Sequence, residues 1–329
     1  MERIGDPVDI RLLDDWQRDL PIVSRPFAAM AEKLGCSEQD VLTRLENLKA
    51  SGRITRVGAT CAPNSISAST LAALSAPVET LEHVAEIVSD QPGVNHSYLR
   101  ENHWNLWFVV TGPDREHVDQ TLDRIRCQTG LQVLDLPLVR PFNVDLGFKM
   151  TGRSDQQLAA RPVRKEVIEE GDREILQALT TGLKTCARPY QALANELGSS
   201  EDAVLKRIEI LQDAGIISRL GVIVRHRALG WRSNAMVVWD IAQDRIASAG
   251  PVLAALPGVT LCYERRPVER VWPYRLYCMI HAQSRNMALD TLTEASLLPE
   301  LADVPYRILF SNRCFKQTGA MISHRGAAA

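Results

Sequence analysis

Asn95 to Val110, NHSYLRENHWNLWFVV, gathers two histidines, an arginine, a tyrosine and two tryptophans in one short stretch. An imidazole with a free pKa near 6.5 can give and take a proton at neutral pH. A guanidinium grips a carboxylate through two parallel hydrogen bonds, and aromatic rings offer flat apolar walls. Read with period two, His96, Tyr98 and Arg100 share one face of a strand. Glu101 and Asn102 read as the turn, after which His103, Asn105, Trp107 and Val109 share one face of the returning strand. Trp104, Leu106, Phe108 and Val110 share the other face, the more apolar one. The expected chemistry is proton transfer by His96 and His103 beside a bound carboxylate, with Tyr98, Arg100 and Trp107 as binding groups.

A second hairpin, CYERRPVERVWPYRLYCMIH over Cys262–His281, is related to the first. Its Arg265, Arg266, Arg270 and Arg275 are candidate carboxylate holders, and Tyr263, Trp272 and Tyr274 candidate walls. Aligning Tyr98 and Arg100 on Tyr263 and Arg265 places Leu261 opposite His96, and aligning the returning strands places Pro273 opposite His103. Only the first copy carries the histidine pair, so an active first sheet and an unequipped second sheet are expected. His117, His226, His281 and His324 read as background.

The hairpins sit in a tandem repeat. Arg25-Pro26 returns as Arg188-Pro189, Leu34-Gly35 as Leu197-Gly198, and Gly52-x-Ile54-x-Arg56-x-Gly58 as Gly215-x-Ile217-x-Arg219-x-Gly221. Pro92-Gly93-Val94 matches Pro257-Gly258-Val259 farther on. Each copy opens with helical patterns, over Ile10–Leu20, Phe27–Leu34 and a third helix capped by Ser37 with Asp40 at the capping-box position; Arg53–Val57 then reads as a strand. That is a winged helix-turn-helix. The remainder reads β-α-β-β-α-β, the ferredoxin-like order. The fold class is therefore α+β, duplicated in tandem. Expected boundaries are 1–60 (winged helix), 61–150 (ferredoxin-like), 151–164 (a polar linker), 165–225 (second winged helix) and 226–329 (second ferredoxin-like unit).

A chain of 329 residues exceeds what one core usually supports, and a net charge of −2 gives no general attraction to nucleic acid or membrane. No apolar run is long enough to span a bilayer and no signal core is visible, so a cytoplasmic chain is expected. Seven cysteines without a CxxC pair read as reduced thiols and suggest no metal site.

A winged helix followed by a ferredoxin-like unit resembles the Lrp/AsnC regulators, which bind DNA. Yet the third helix has two basic against three acidic residues between Ser37 and Ala50, and two against four between Ser200 and Ala214. Such helices repel a phosphate backbone, and two unlike copies do not match a palindrome. Packing and dimerisation are the expected roles of these modules, with no nucleic-acid partner.

The two hairpins resemble, more narrowly, the siroheme decarboxylases, Lrp-like enzymes in which two related subunits pair and are sometimes fused, as in the form serving haem d1 synthesis in denitrifiers. That resemblance implies non-oxidative loss of two acetate carboxyl groups from siroheme to give didecarboxysiroheme. The iron would arrive with the substrate, without an organic cofactor; His96 or His103 would donate the proton or ligate that iron. It also implies a pseudo-dimer within one chain, with a further homodimer left open. The rivals are a tandem regulator with a small effector and a haem-sensing protein without turnover.

Overall fold

The computed structural model describes residues 5–144, 147 and 162–323; most of the expected linker, including 151–161, and His324 lie outside them. The first copy runs α1 (Pro7–Asp14), α2 (Pro26–Leu34), α3 (Glu38–Ala50), β1 (Ile54–Cys61), β2 (Ala68–Leu74), α4 (Leu81–Asp90), β3 (Val94–Arg100), β4 (Leu106–Gly112), α5 (Arg115–Thr129) and β5 (Val133–Asn143). The second runs α6 (Asp172–Thr181), α7 (Pro189–Leu197), α8 (Glu201–Asp213), β6 (Ile217–Val224), β7 (Ser233–Trp239), α9 (Ile246–Ala255), β8 (Val259–Arg265), β9 (Leu276–Ala282), α10 (Arg285–Ser296) and β10 (Tyr306–Gln317).

Ser37 caps α3 through the Asp40 backbone N–H, at 3.1 Å. The Asp40 carboxylate does not close a capping box; it accepts from Arg44 Nε at 2.9 Å. α1 stops at Asp14, short of the expected Leu20, although Trp16 and Leu20 remain buried. The backbone there is used differently. Trp16 O accepts from Val222 N at 2.7 Å, and Leu20 N donates to Leu220 O at 3.1 Å. Leu183 N makes the mirrored bond to Val57 O at 2.8 Å.

β1 and β6, one from each winged helix, pair antiparallel with Gly58 opposite Gly221. The repeated glycine has a steric cause: a Cβ on Gly58 would lie 2.2 Å from Leu179 O, and one on Gly221 2.5 Å from Trp16 O. The winged helices thus share one apolar core that includes Leu45, Tyr190 and Ile208.

Within each ferredoxin-like unit the strand orders are β3-β4-β2-β5 and β8-β9-β7-β10. β5 and β10, at 11 and 12 residues, are longer than the other strands because each has two partners. Val133–Pro137 pairs with β2 while Leu138–Asn143 pairs with β8; Tyr306–Phe310 pairs with β7 while Ser311–Gln317 pairs with β3. Among the described residues, eight strands thereby close into a barrel. Leu106, Phe108 and Val110 face α4 and α5 on its outside, while Leu71, Trp107, Leu136, Met236, Tyr277 and Leu309 fill the inside. No helix among the described residues is long and apolar enough to cross a membrane.

Candidate active site

His96 and Tyr98 lie opposite Val109 and Trp107 across the β3–β4 ladder, and opposed residues of an antiparallel pair share a face. Both side chains therefore point into the barrel, where each keeps part of its surface open. His96 Nδ1 is 3.2 Å from Tyr98 Oη. Burial pushes the phenol up, so it stays protonated. Burial first, and the positive charge of Arg56 second, lower His96 to about 4.

Arg100 is buried, at 6% exposure. Its Nη1 donates to Leu309 O at 3.0 Å and to Asn234 Oδ1 at 3.2 Å, both on the second copy. Nε finds no protein acceptor. The guanidinium edge formed by Nε and Nη2 is the one that takes a carboxylate in two bonds.

The bond to Asn234 begins a chain. With its oxygen occupied by arginine, Asn234 Nδ2 donates to His281 Nε2 at 2.7 Å. His281 Nδ1 then carries the proton and donates to Thr260 Oγ1 at 2.7 Å, whose hydroxyl donates to Met279 O at 3.1 Å. This network holds His281 neutral, with a pKa lowered to about 4 by burial and by Arg100. The His226 ring lies 5.9 Å from it. His281 and His226, read as background in the sequence, are thus drawn to the site. No local pattern marks them, since Asn234, Arg100 and Thr260 are remote in sequence or on another strand; His281 on the inner face, where the first copy has Thr111, was the available signal.

Positive charge also arrives from the winged helices. Arg56 on β1 acts on His96; Arg225, just after β6, acts on Tyr98; Arg225 and Arg227 act on Cys314, which sits beside Tyr98 on β10. None of these arginines was chosen from sequence.

The mirrored place is closed. Leu261 stands opposite Met279 as His96 stands opposite Val109. Trp272 Nε1 donates to Tyr277 Oη at 2.7 Å and its ring lies 4.7 Å from Tyr274 and 5.2 Å from Trp107. Tyr263 stacks on Tyr277 at 5.7 Å. Trp107, Tyr263, Trp272 and Tyr274, expected as walls for a ligand, are instead packed as barrel core, all under a tenth exposed. The physical reason is barrel closure, which gives these rings each other to bury against.

Arg265 mirrors Arg100: its Nη1 donates to Leu136 O at 2.7 Å, its Nε is likewise buried without an acceptor among the described residues, and its guanidinium lies over the Tyr263 ring at 4.6 Å as that of Arg100 lies over Tyr98 at 5.6 Å. Arg266 and Arg270 are exposed on the long β8–β9 loop, and Arg275 donates to Gln243 Oε1 at 3.1 Å. None of these joins the His96 cluster. His103 is exposed on the Glu101–Asn105 loop, edge-on to Trp104 at 6.0 Å, and not on the strand face with Trp107. The turn is longer than expected because Asn105 is used to bridge Ala76, Nδ2 donating to its carbonyl and Oδ1 accepting from its N–H. Trp104 folds back into the barrel core rather than joining Leu106 on the outer face.

A pH effect follows from the two depressed histidines. Unfolded, each titrates near 6.5; folded, each binds its proton only near pH 4. Between those values the unfolded chain takes up protons that the folded chain refuses, so stability is present above 6.5 and lost as pH falls toward 4. His281→Gln is expected to remove up to about 3 kcal/mol of that acid-side loss. Urea midpoints of the two proteins at pH 7 and pH 4.5 check it; an equal drop in both would show that His281 is not held neutral.

Comparison with known proteins agrees with this architecture. The AsnC-like ligand binding domain profile matches residues 66–143 and 228–316, and the siroheme decarboxylase NirDL-like HTH domain profile matches 9–54 and 172–217. A siroheme decarboxylase NirDL subunit of Paracoccus pantotrophus is 54% identical over 98% of this chain and 99% of its own. The crystal structure of a siroheme decarboxylase NirDL superposes with a TM-score of 0.70 at 25% identity, covering 97% of this chain and 96% of that one. Another, in complex with an iron-uroporphyrin III analogue, has a TM-score of 0.68 at 24% identity, covering 97% and 95%. With duplicated helix-turn-helix and AsnC-like units matched over most of the chain and a 54% identical relative over 98% of it, this protein belongs to the siroheme decarboxylase NirDL family.

Proposed function

We propose that this chain is a carboxy-lyase that removes two acetate carboxyl groups of siroheme as CO2, with His96 as proton donor and Arg100 as carboxylate holder. The observation that carries the reading is the inequality of the two mirrored places: both keep an arginine whose Nε has no acceptor among the described residues, but one has the half-buried His96 beside it, and the other has Leu261 at that position and is packed with its own rings. The substrate is carried over from the named activity of the relative in Paracoccus pantotrophus.

Siroheme suits such a place because its rim carries many carboxylates and its faces are flat and apolar. Arg100, through Nε and Nη2, holds one rim carboxylate in a site largely shielded from water, where a charge-assisted pair is strong. An acetate side chain that loses CO2 leaves its electron pair on the methylene carbon, conjugated with the macrocycle. A proton delivered to that carbon completes a methyl group, and no electron is gained or lost overall.

His96 is neutral at neutral pH. The carboxylates of the substrate bring negative charge that offsets burial and the field of Arg56, and so raise the imidazole toward a protonated state as the substrate arrives. The Tyr98 hydroxyl, 3.2 Å from Nδ1, holds the orientation of the ring. The iron belongs to the substrate, and no organic cofactor takes part in these steps. His103, exposed on its loop, is given no role in proton delivery.

DNA binding is disfavoured by how the third helices spend their arginines. Arg44 is held by Asp6, Asp9 and Asp40, and the equivalent Arg207 by Asp172 and Glu169. Anaerobic incubation with siroheme followed by mass measurement tests the reading. A tetrapyrrole product lighter by two CO2 is expected; siroheme bound but unchanged in mass would make the protein a sensor, and tight, salt-dependent DNA binding without turnover would make it a regulator.

A further inference from the structure

Arg100 and Arg265 are mirrored guanidiniums. Each leaves Nε without an acceptor among the described residues, and each donates through Nη1 to a backbone carbonyl of the other copy, Leu309 O and Leu136 O. They differ in what stands beside that nitrogen. Arg100 Nη1 also donates to Asn234 Oδ1 at 3.2 Å, reaching across β10 to β7 of the second copy. In the mirrored row, Asn234 and its ladder partner His281 are replaced by Ser69 and its ladder partner Thr111.

The asparagine is held from both sides. A guanidinium only donates, so Asn234 turns its oxygen to Arg100 and its NH2 to His281, whose Nε2 accepts at 2.7 Å. The ring cannot offer its other tautomer without loss, because Nδ1 lies 2.7 Å from Thr260 Oγ1 and that hydroxyl donates to Met279 O at 3.1 Å. Turning the amide over would set its NH2 against the guanidinium and its oxygen against the Nε2 lone pair. Arginine is a long side chain, and immobilising it on binding costs affinity unless it is already fixed in the free protein. With Nη1 anchored on two acceptors, the edge formed by Nε and Nη2 is set before a ligand arrives.

We propose that Asn234, held by His281, is a positioning residue: it fixes the Arg100 fork so that Nε and Nη2 meet a tetrapyrrole carboxylate without rearrangement. This rests on the tetrapyrrole reading above. The second copy, which has Leu261 and Pro273 where the first has its histidines, thereby supplies the support of the first copy's site.

Soret titrations of the full chain with iron-uroporphyrin III test the proposal. Asn234→Ser brings in the residue of the mirrored row, which the fold already accommodates there, and is expected to weaken binding about three- to tenfold. The same substitution in an Arg100→Leu background is expected to change affinity little, because the effect travels through Arg100. His281→Leu removes the acceptor for Asn234 Nδ2 and should weaken binding by a similar factor. His281→Gln offers an amide oxygen to Asn234 and an NH2 to Thr260, so it should keep most of the affinity. Unchanged affinity of Asn234→Ser, a loss just as large in the Arg100→Leu background, or His281→Gln binding no tighter than His281→Leu would overturn the proposal. Failure of the unaltered chain to bind iron-uroporphyrin III would instead remove the tetrapyrrole reading.

Discussion

Replacing His96 with alanine is expected to lower siroheme decarboxylation by on the order of 10²-fold or more, the scale of a lost general acid. Binding should survive, because the grip on the rim lies with arginines. Single-turnover measurements with bound siroheme separate the two effects. The fold should tolerate the change, since His96 makes one side-chain hydrogen bond, to Tyr98, and is not fully enclosed. Tyr98→Phe keeps the ring and removes the hydroxyl that orients the imidazole, so a smaller loss of turnover is expected there. His103→Ala serves as the contrast: exposed and outside the strand, it should leave turnover near that of the unaltered chain. If His96→Ala turns over bound siroheme at the normal rate, the catalyst lies elsewhere and the hairpin is a binding wall.

Arg100→Leu is expected to have the second largest effect, on two readouts at once. Tetrapyrrole affinity should fall at least about tenfold, since one well-formed charge-assisted pair is worth roughly 1.5–3 kcal/mol. Stability should fall by roughly 1–3 kcal/mol as well, because Leu309 O and Asn234 Oδ1 lose their donor inside the barrel. Arg100→Lys keeps the charge but cannot reach both protein acceptors and still present a two-point edge to the ligand, so it should recover only part of each loss. Isothermal titration with iron-uroporphyrin III and urea unfolding measure these separately. Arg265→Leu gives the mirrored comparison. Its Nη1 holds Leu136 O, and the place beside it has no histidine and is packed with its own rings, so its replacement should cost stability with little change in affinity. Equal affinity losses at the two positions would mean that both mirrored places take the ligand.

The sequence by itself determined the repeat, the element types and the inequality of the two hairpins. Its evidence is local: cap residues, periodicity and a shift between copies report which segments are helices or strands and which face is apolar. His96, Tyr98 and Arg100 were found that way, because three chemically useful residues at period two need nothing beyond their own strand to share a face. Their mutual direction into the barrel agrees with that reading.

Only the tertiary structure decided what surrounds them. α1 ends early because Trp16 and Leu20 bond to β6, and β5 and β10 run long because each changes partner midway, neither of which leaves a mark in a single segment's pattern. Closure of the barrel turned Trp107, Tyr263, Trp272 and Tyr274 from candidate walls into core, since alternation says that a ring faces inward but not whether another ring meets it there. His103 left the site because its loop is held open by Asn105 on Ala76. His281 is tied to Arg100 through Asn234. Such contacts join residues far apart in sequence, and their energy comes from burying polar groups against specific distant partners; periodicity carries no record of that choice.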